Sequence, residues 1–91
     1  MNISTYLLRR LKSRGVDHVF GIPGDYVLRF FAALVDSDLE HVATCNELNA
    51  GYAADGYARL KGLGAVAVTY GPGSLSLVNA VAGAYAERVP V

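Results

Sequence analysis

Residues 44–59 read Thr-Cys-Asn-Glu-Leu-Asn-Ala-Gly-Tyr-Ala-Ala-Asp-Gly-Tyr-Ala-Arg, and this stretch is the most informative part of the sequence, because it places one glutamate at the start of a helix rich in alanine and glycine. Residues 40–44 before it read as a short strand, and Asn46 is a suitable N-cap for a helix. Glu47 is therefore predicted in the first helical turn, just beyond the carboxyl end of a strand. Because ligands of open parallel sheets bind at that edge, Glu47 is the first candidate for a functional residue.

The helix that begins at Glu47 is rich in residues with little or no side chain. Such residues allow another backbone or a flat ring system to approach the helix closely. We therefore expect a second element to pack against this helix. The small residues are Ala50, Gly51, Ala53, Ala54, Gly56 and Ala58.

Working outward, the chain alternates between helical and strand patterns without a linker. This alternation predicts an α/β fold of βαβαβα order, with a parallel sheet and right-handed crossovers. A first helix, with Ser4 as a possible N-cap, precedes the first strand. The last helix is apolar almost all round, so we expect it to be largely buried. The predicted helices are residues 4–14, 25 or 26 to 37, 47–61 and 75–88, and the predicted strands are residues 18–22, 41–44 and 65–69.

Composition argues against a nucleic-acid-binding protein, a membrane-spanning protein and a metal-binding protein. The 91 residues carry 8 basic and 8 acidic side chains, so the zero formal charge gives no electrostatic footprint for nucleic acid or acidic membranes. No run approaches the roughly 20 apolar residues of a membrane-spanning helix, and a cytoplasmic protein is the default expectation. The lone Cys45 is expected to be buried. His18 and His41 have no second ligand at suitable spacing, so no metal site is predicted.

Three further segments support the same interpretation. Residues 19–26 read Val-Phe-Gly-Ile-Pro-Gly-Asp-Tyr, residues 68–74 read Val-Thr-Tyr-Gly-Pro-Gly-Ser, and residues 82–91 read Ala-Gly-Ala-Tyr-Ala-Glu-Arg-Val-Pro-Val. With residues 44–59, they resemble the thiamine diphosphate (ThDP) enzymes of the pyruvate decarboxylase and acetolactate synthase superfamily, in order and at about the same spacing. The resemblance implies that residues 1–91 are the amino-terminal part of a pyrimidine-binding domain, incomplete and without the family's remaining domains.

The resemblance gives Glu47 a chemical role. In this family a glutamate at this position contacts N1' of the cofactor's aminopyrimidine and favours the imino form that removes the C2 proton of the thiazolium. The alternative is a first-turn glutamate that only complements the helix dipole, contributing about 0.3–1 kcal/mol. The family motif around Glu47 favours the first interpretation.

Asp25 bears on the type of reaction. Gly-Asp-Tyr after the first strand is similar to the decarboxylases, in which this aspartate acts on the intermediate formed after CO2 leaves. The alternative role is an N-cap for the helix beginning at Tyr26. The resemblance implies a 2-oxo acid decarboxylase that acts on a substrate like pyruvate, phenylpyruvate or indolepyruvate. An acetolactate synthase-like carboligase and a non-catalytic association module stay open as alternatives.

The remaining site residues also come from the resemblance. It implies that two loops line the pyrimidine pocket together with Glu47, and that the ligands for the diphosphate and for Mg2+ lie outside this chain. A subunit of the same family would complete the site across a dimer interface in a homo-oligomer. The loop residues are Pro23 and Gly24 in the first loop and Thr69, Gly71 and Pro72 in the second.

Overall fold

The computed structural model describes all residues from 1 to 91, and it confirms the predicted α/β alternation. A short 3-10 helix precedes the second α-helix, and no helix is both long enough and apolar enough to cross a bilayer. In chain order the elements are α1 (Ile3–Ser13), β1 (His18–Gly21), the 3-10 helix (Asp25–Val27), α2 (Leu28–Val35), β2 (Glu40–Val42), α3 (Glu47–Lys61), β3 (Val66–Ala67) and α4 (Pro72–Ala86).

The three strands form one parallel sheet in the order β2-β1-β3. In register, Phe20 of β1 lies beside Val42 of β2 on one side and Val66 of β3 on the other. The chain runs from β1 to its neighbour β2 and then back past β1 to β3. Helices α2 and α3 cover opposite faces of the sheet, as right-handed crossovers require for this strand order.

Strand β1 shows how the two faces are divided. The side chain of Val19 is buried in the cluster formed with α1 and α2, whereas His18 and Phe20 each place a ring 5.5 Å from the ring of Tyr57 on α3. This is the alternation expected of a strand that is covered on both faces. The buried cluster consists of Leu8, Val16, Val19, Phe31, Leu34 and Leu39.

The amino end of the sheet is tied by ion pairs. Asp17, just before β1, accepts hydrogen bonds from Lys12 of α1 at 2.6 Å and from Lys61 of α3 at 3.0 Å. These bonds, that from Lys12 first, hold the pKa of Asp17 at about 2, below its ordinary value of 3.8. Three elements are thus joined at the edge opposite to the one where ligands are expected.

The ends of several elements differ from the sequence prediction. The N-cap of α1 is Asn2, whose side chain accepts from the Thr5 amide at 2.9 Å, so Ser4 lies inside the helix. The helix predicted to run to residue 37 ends at Val35, and its first turn is the separate 3-10 helix. Strand β3 has two residues instead of five, because its pairing with β1 covers only Phe20 and Gly21.

Helix α4 corrects the expectation of a largely buried helix. It starts three residues early, with Pro72 in the first turn, where the missing amide hydrogen costs nothing. Only the side that faces α3 is buried, through Leu77, Ala80 and Ala84. Leu75 and Tyr85 stay 74% and 86% exposed, because no other element of the chain reaches that side.

Cys45 is exposed, contrary to the expected burial. It lies in the turn between β2 and α3, just before the Asn46 cap, where no element covers it.

Candidate functional site

The carboxyl ends of the strands and the start of α3 enclose a small pocket. In a sheet of order 2-1-3 the chain turns back between β1 and β3, and this switch point is where doubly wound folds bind ligands. The pocket has a volume of about 240 Å3. Its lining consists of Ile22 and Pro23 after β1, Glu47 of α3, and Thr69, Pro72, Gly73 and Ser76 after β3.

Glu47 is held at the pocket by a capped helix start, as predicted. The Asn46 side chain accepts a hydrogen bond from the Asn49 amide at 2.9 Å, and the Thr44 hydroxyl donates to the Asn46 carbonyl at 2.7 Å. The Glu47 side chain is half-buried and takes part in none of the ion pairs of the chain. Its carboxylate is therefore free to accept a hydrogen bond from a ligand.

The start of α4 leaves room for that carboxylate. A Cβ atom added at Gly73 would lie 3.6 Å from Cγ of Glu47 and 3.4 Å from Cβ of Val68. Both distances are ordinary van der Waals contacts, so the start of α4 lies beside Glu47 without crowding it. Gly73 thus lines the pocket next to the glutamate.

The loop between β3 and α4 has a fixed shape. Gly71 is the N-cap of α4 and has a φ of +79°, a backbone conformation that residues other than glycine rarely adopt. The Thr69 carbonyl accepts a hydrogen bond from the Ser74 amide at 3.0 Å, which closes the turn. Thr69 and Pro72 therefore reach the pocket from a constrained loop, whereas Gly71 shapes that loop.

The loop after β1 contacts the second loop directly. A Cβ atom at Gly24 would collide with the Thr69 hydroxyl, so the absence of a side chain lets the two loops touch. The rings of Tyr26 and Tyr70 extend this contact, with centroids 5.5 Å apart. Pro23 lines the pocket and Gly24 supports it from the neighbouring position.

Asp25 lies beside the pocket and not in its lining. It is exposed and begins the 3-10 helix, where Gly24 is the N-cap and no side chain makes a capping hydrogen bond. The capping role considered for Asp25 is therefore wrong in this structure. Its carboxylate is open to solvent or to a molecule that extends beyond the pocket.

Three lining residues were not singled out from the sequence: Ile22, Gly73 and Ser76. Ile22 and Gly73 adjoin predicted site residues, so the loop boundaries could have included them. Ser76 lies one helical turn after Pro72, and that spacing places both residues on the same side of α4 once the helix is known to start at Pro72.

The chemistry of the pocket suits a flat ring that offers a hydrogen-bond donor. Proline and isoleucine supply apolar walls, one carboxylate supplies the acceptor, and no lining residue is basic. An aminopyrimidine fits these groups, whereas a diphosphate would lack a cationic partner. The volume also lies below the roughly 300–1,000 Å3 of pockets that enclose whole drug-sized ligands.

A larger groove of about 740 Å3 lies elsewhere, between α1 and α2. Its lining is mainly polar or charged and includes Arg9, Arg29 and Asp36, but no residue of the two pocket loops. The smaller pocket is the better candidate, because it contains the glutamate and lies at the switch point of the sheet.

Comparison with known proteins gives one matching family and close relatives. The family described as "Thiamine pyrophosphate enzyme, N-terminal TPP binding domain" matches residues 1–91. A pyruvate decarboxylase of Aspergillus parasiticus is 57% identical over 89 residues, which are 98% of this chain and 15% of that protein. An alpha-keto-acid decarboxylase of Mycobacterium tuberculosis is 54% identical, and one of Mycobacterium avium is 56% identical, each over 90 residues that make up 98% of this chain and 16% of the relative.

The chain thus spans about one sixth of the length of these curated relatives. The sheet order, the pocket at its switch point and the match over every residue agree with one another. The chain belongs to the thiamine pyrophosphate enzyme family whose model describes the N-terminal TPP-binding domain.

Proposed function

We propose that this chain is the pyrimidine-binding part of a ThDP- and Mg2+-dependent 2-oxo acid decarboxylase, in which Glu47 activates the cofactor. The observation that carries the proposal is the Glu47 carboxylate, which faces a ring-sized pocket over Gly73 and has no ion-pair partner in the chain. The decarboxylase names of the relatives support the reaction type.

Bound ThDP would supply a thiazolium whose C2 atom, once its proton is removed, is a carbanion and a nucleophile toward the carbonyl carbon of a 2-oxo acid. The residues of this chain would prepare that chemistry. Glu47 would accept a charge-assisted hydrogen bond from a ring nitrogen and so keep a proton at that atom. Pro23, Thr69 and Pro72 would hold the ring against the carboxylate and exclude water from the bond, which strengthens it.

Asp25 would act at a later step. Its carboxylate lies outside the pyrimidine pocket, next along the chain to Gly24, so it is free to reach a part of the reacting molecule beyond the ring. We assign it the protonation or orientation of the intermediate that remains once CO2 has left.

The rest of the site would come from other regions. A 240 Å3 pocket without basic residues holds only one end of the cofactor, so the diphosphate and Mg2+ require ligands from outside the chain. We propose that a same-family subunit provides them in a cytoplasmic homo-oligomer. The relatives are about six times longer than this chain, which leaves ample sequence for those ligands.

A carboligase of the acetolactate synthase type is the second candidate. The Gly-Pro-Gly sequence at residues 71–73 resembles the motif that those enzymes usually have at this position. Asp25 and the names of the relatives favour decarboxylation.

The test is a product assay with the full-length protein that contains this chain. Pyruvate, phenylpyruvate and indolepyruvate are each supplied with and without ThDP and Mg2+, and CO2, aldehyde and acetolactate are measured. The proposal expects aldehyde and CO2 in equal amounts, only when both cofactors are present. Acetolactate as the main product from pyruvate would favour the carboligase, and activity that does not need ThDP would refute both.

A further inference from the structure

We infer that His41 is a positioning residue, which holds the loop carrying Pro23 and Asp25 by donating a hydrogen bond to the Gly21 carbonyl. The inference rests on the proposed function and adds a residue that touches neither pocket nor cofactor. His41 lies on β2, and its Nε2 atom is 2.9 Å from the carbonyl oxygen of Gly21, the last residue of β1.

The direction of this hydrogen bond is set by chemistry. A carbonyl oxygen can only accept, so Nε2 of His41 must carry the hydrogen and the neutral ring must be the Nε2–H tautomer. The ring cannot swing away easily, since it packs edge to face on Phe31 with centroids 4.9 Å apart, and Phe31 is itself buried. The Nε2–H group of His41 is therefore held in a fixed orientation toward the Gly21 carbonyl oxygen.

The Gly21 carbonyl lies where the loop that carries Pro23 and Asp25 leaves β1. The backbone register of β1 with β2 ends at Phe20 and Val42, so Gly21 lies one residue beyond it. On its other side β1 is held by β3, where the Ile22 amide donates to the Ala67 carbonyl at 3.3 Å. His41 thus gives the end of β1 an anchor on the β2 side that the short strand β2 does not supply through its backbone.

The loop after Gly21 depends on this anchor. Only three residues separate Gly21 from the 3-10 helix that begins with Asp25, and Gly24 must pass close to the Thr69 hydroxyl. A tilt of the Gly21 peptide would therefore move Pro23 and Asp25 together. It would not move Glu47, which is fixed separately by the Asn46 cap on α3.

This separation makes the inference testable in the full-length protein. His41→Phe keeps an aromatic ring against Phe31 but removes the donor, whereas His41→Gln retains an amide hydrogen near the position of Nε2. We expect His41→Phe to lower kcat about tenfold and His41→Gln to restore most of it. Exchange of the thiazolium C2 proton, measured with saturating ThDP, should fall by clearly less than kcat for both, because Glu47, Thr69 and Pro72 are undisturbed and only Pro23 of the pocket lining moves.

His18→Phe is the matched control. His18 lies on β1 beside Tyr57 and near Glu40, at the end of the strand away from the loop, so its replacement should leave kcat unchanged. Thermal unfolding of each variant shows whether it is folded. If His41→Phe fails to fold, His41→Met carries the same test, since its flexible side chain fills irregular space and has no donor.

Three results would overturn the inference: an unchanged kcat in His41→Phe, equal damage in His41→Gln, or a C2 exchange rate that falls as much as kcat. The last result would show general disruption of the site. These outcomes are separate from failure of the proposed function, which would show as unchanged C2 exchange when Glu47 itself is replaced.

Discussion

At the scale of single residues, Gly24 sets how closely the two pocket loops approach each other. A Cβ atom at Gly24 would collide with the Thr69 hydroxyl, so the loops are in contact only because residue 24 is glycine. A Cβ atom at Gly73 would lie 3.6 Å from Cγ of Glu47, which is an ordinary van der Waals contact. Gly24, and not Gly73, is therefore the position at which the absence of a side chain determines the shape of the pocket.

Asp25 gives a prediction at this scale. Because it makes no capping hydrogen bond, Asp25→Asn should change the free energy of unfolding by less than about 0.5 kcal/mol. Aldehyde release by the full-length enzyme should nevertheless slow by on the order of 10²-fold, as expected for loss of an acid-base group. ThDP binding and C2 exchange should remain nearly intact.

The control for Asp25→Asn is Asp36→Asn at the exposed end of α2, which should leave both stability and turnover unchanged. Steady-state kinetics with calorimetric ThDP titration is the measurement. Full turnover in Asp25→Asn would leave this aspartate with no catalytic role.

At the scale of elements, α3 and α4 are packed through their smallest residues. A Cβ atom at Gly51 would lie 2.5 Å from Cβ of Ala80 and would also overlap Leu77, whereas one at Gly56 would meet nothing within 4 Å. Both glycines lie inside α3. An alanine at Gly56 would change only the helix propensity of α3, whereas an alanine at Gly51 would also change its packing against α4.

Gly51→Ala should destabilise the protein by about 1–3 kcal/mol, since overpacking forces the two helices apart. Gly56→Ala is the matched change on the open side of the same helix and should stabilise it by about 0.5–1 kcal/mol. Denaturant unfolding measures both. Equal effects of the two substitutions would mean that α3 and α4 are less tightly packed at Gly51 than these distances indicate.

Helix α3 also shows how far sequence alone predicts structure. Asn46, Glu47 and Lys61 were placed correctly because the ends of this helix are set by local interactions, the Asn46 cap and the left-handed backbone of Gly62. The 3-10 turn at Asp25 and the two-residue strand β3 were missed, because they depend on how far β1 pairs with its neighbours. The His41 to Gly21 hydrogen bond joins residues 20 positions apart, and no local pattern reports it.

At the scale of the whole molecule, the chain combines a three-stranded sheet with a helix, α4, whose outer side is exposed. The predicted fold class is confirmed, but the burial of α4 was overestimated because an apolar sequence does not show which partner covers it. Leu75, Val78, Val81 and Tyr85 of α4 and Tyr52 of α3 all remain about half or more exposed. Patches of this kind mark sites of association.

The 91-residue chain on its own should therefore self-associate and show no decarboxylase activity. It should also bind ThDP with Mg2+ very weakly, since one charge-assisted hydrogen bond contributes about 1.5–3 kcal/mol, less than the free energy lost on association. Light scattering and calorimetric titration are the measurements. A clean monomer that binds ThDP at micromolar concentration would contradict both expectations.

The most direct test of the central claim is C2 proton exchange of ThDP bound to the full-length protein with Glu47→Gln. We predict that exchange slows by on the order of 10²-fold or more, with a change in unfolding free energy of no more than about 1 kcal/mol from the helix dipole. Glu40→Gln, on the exposed β2 position, should exchange at the unaltered rate. An unchanged exchange rate in Glu47→Gln would show that Glu47 only complements its helix and does not activate the cofactor.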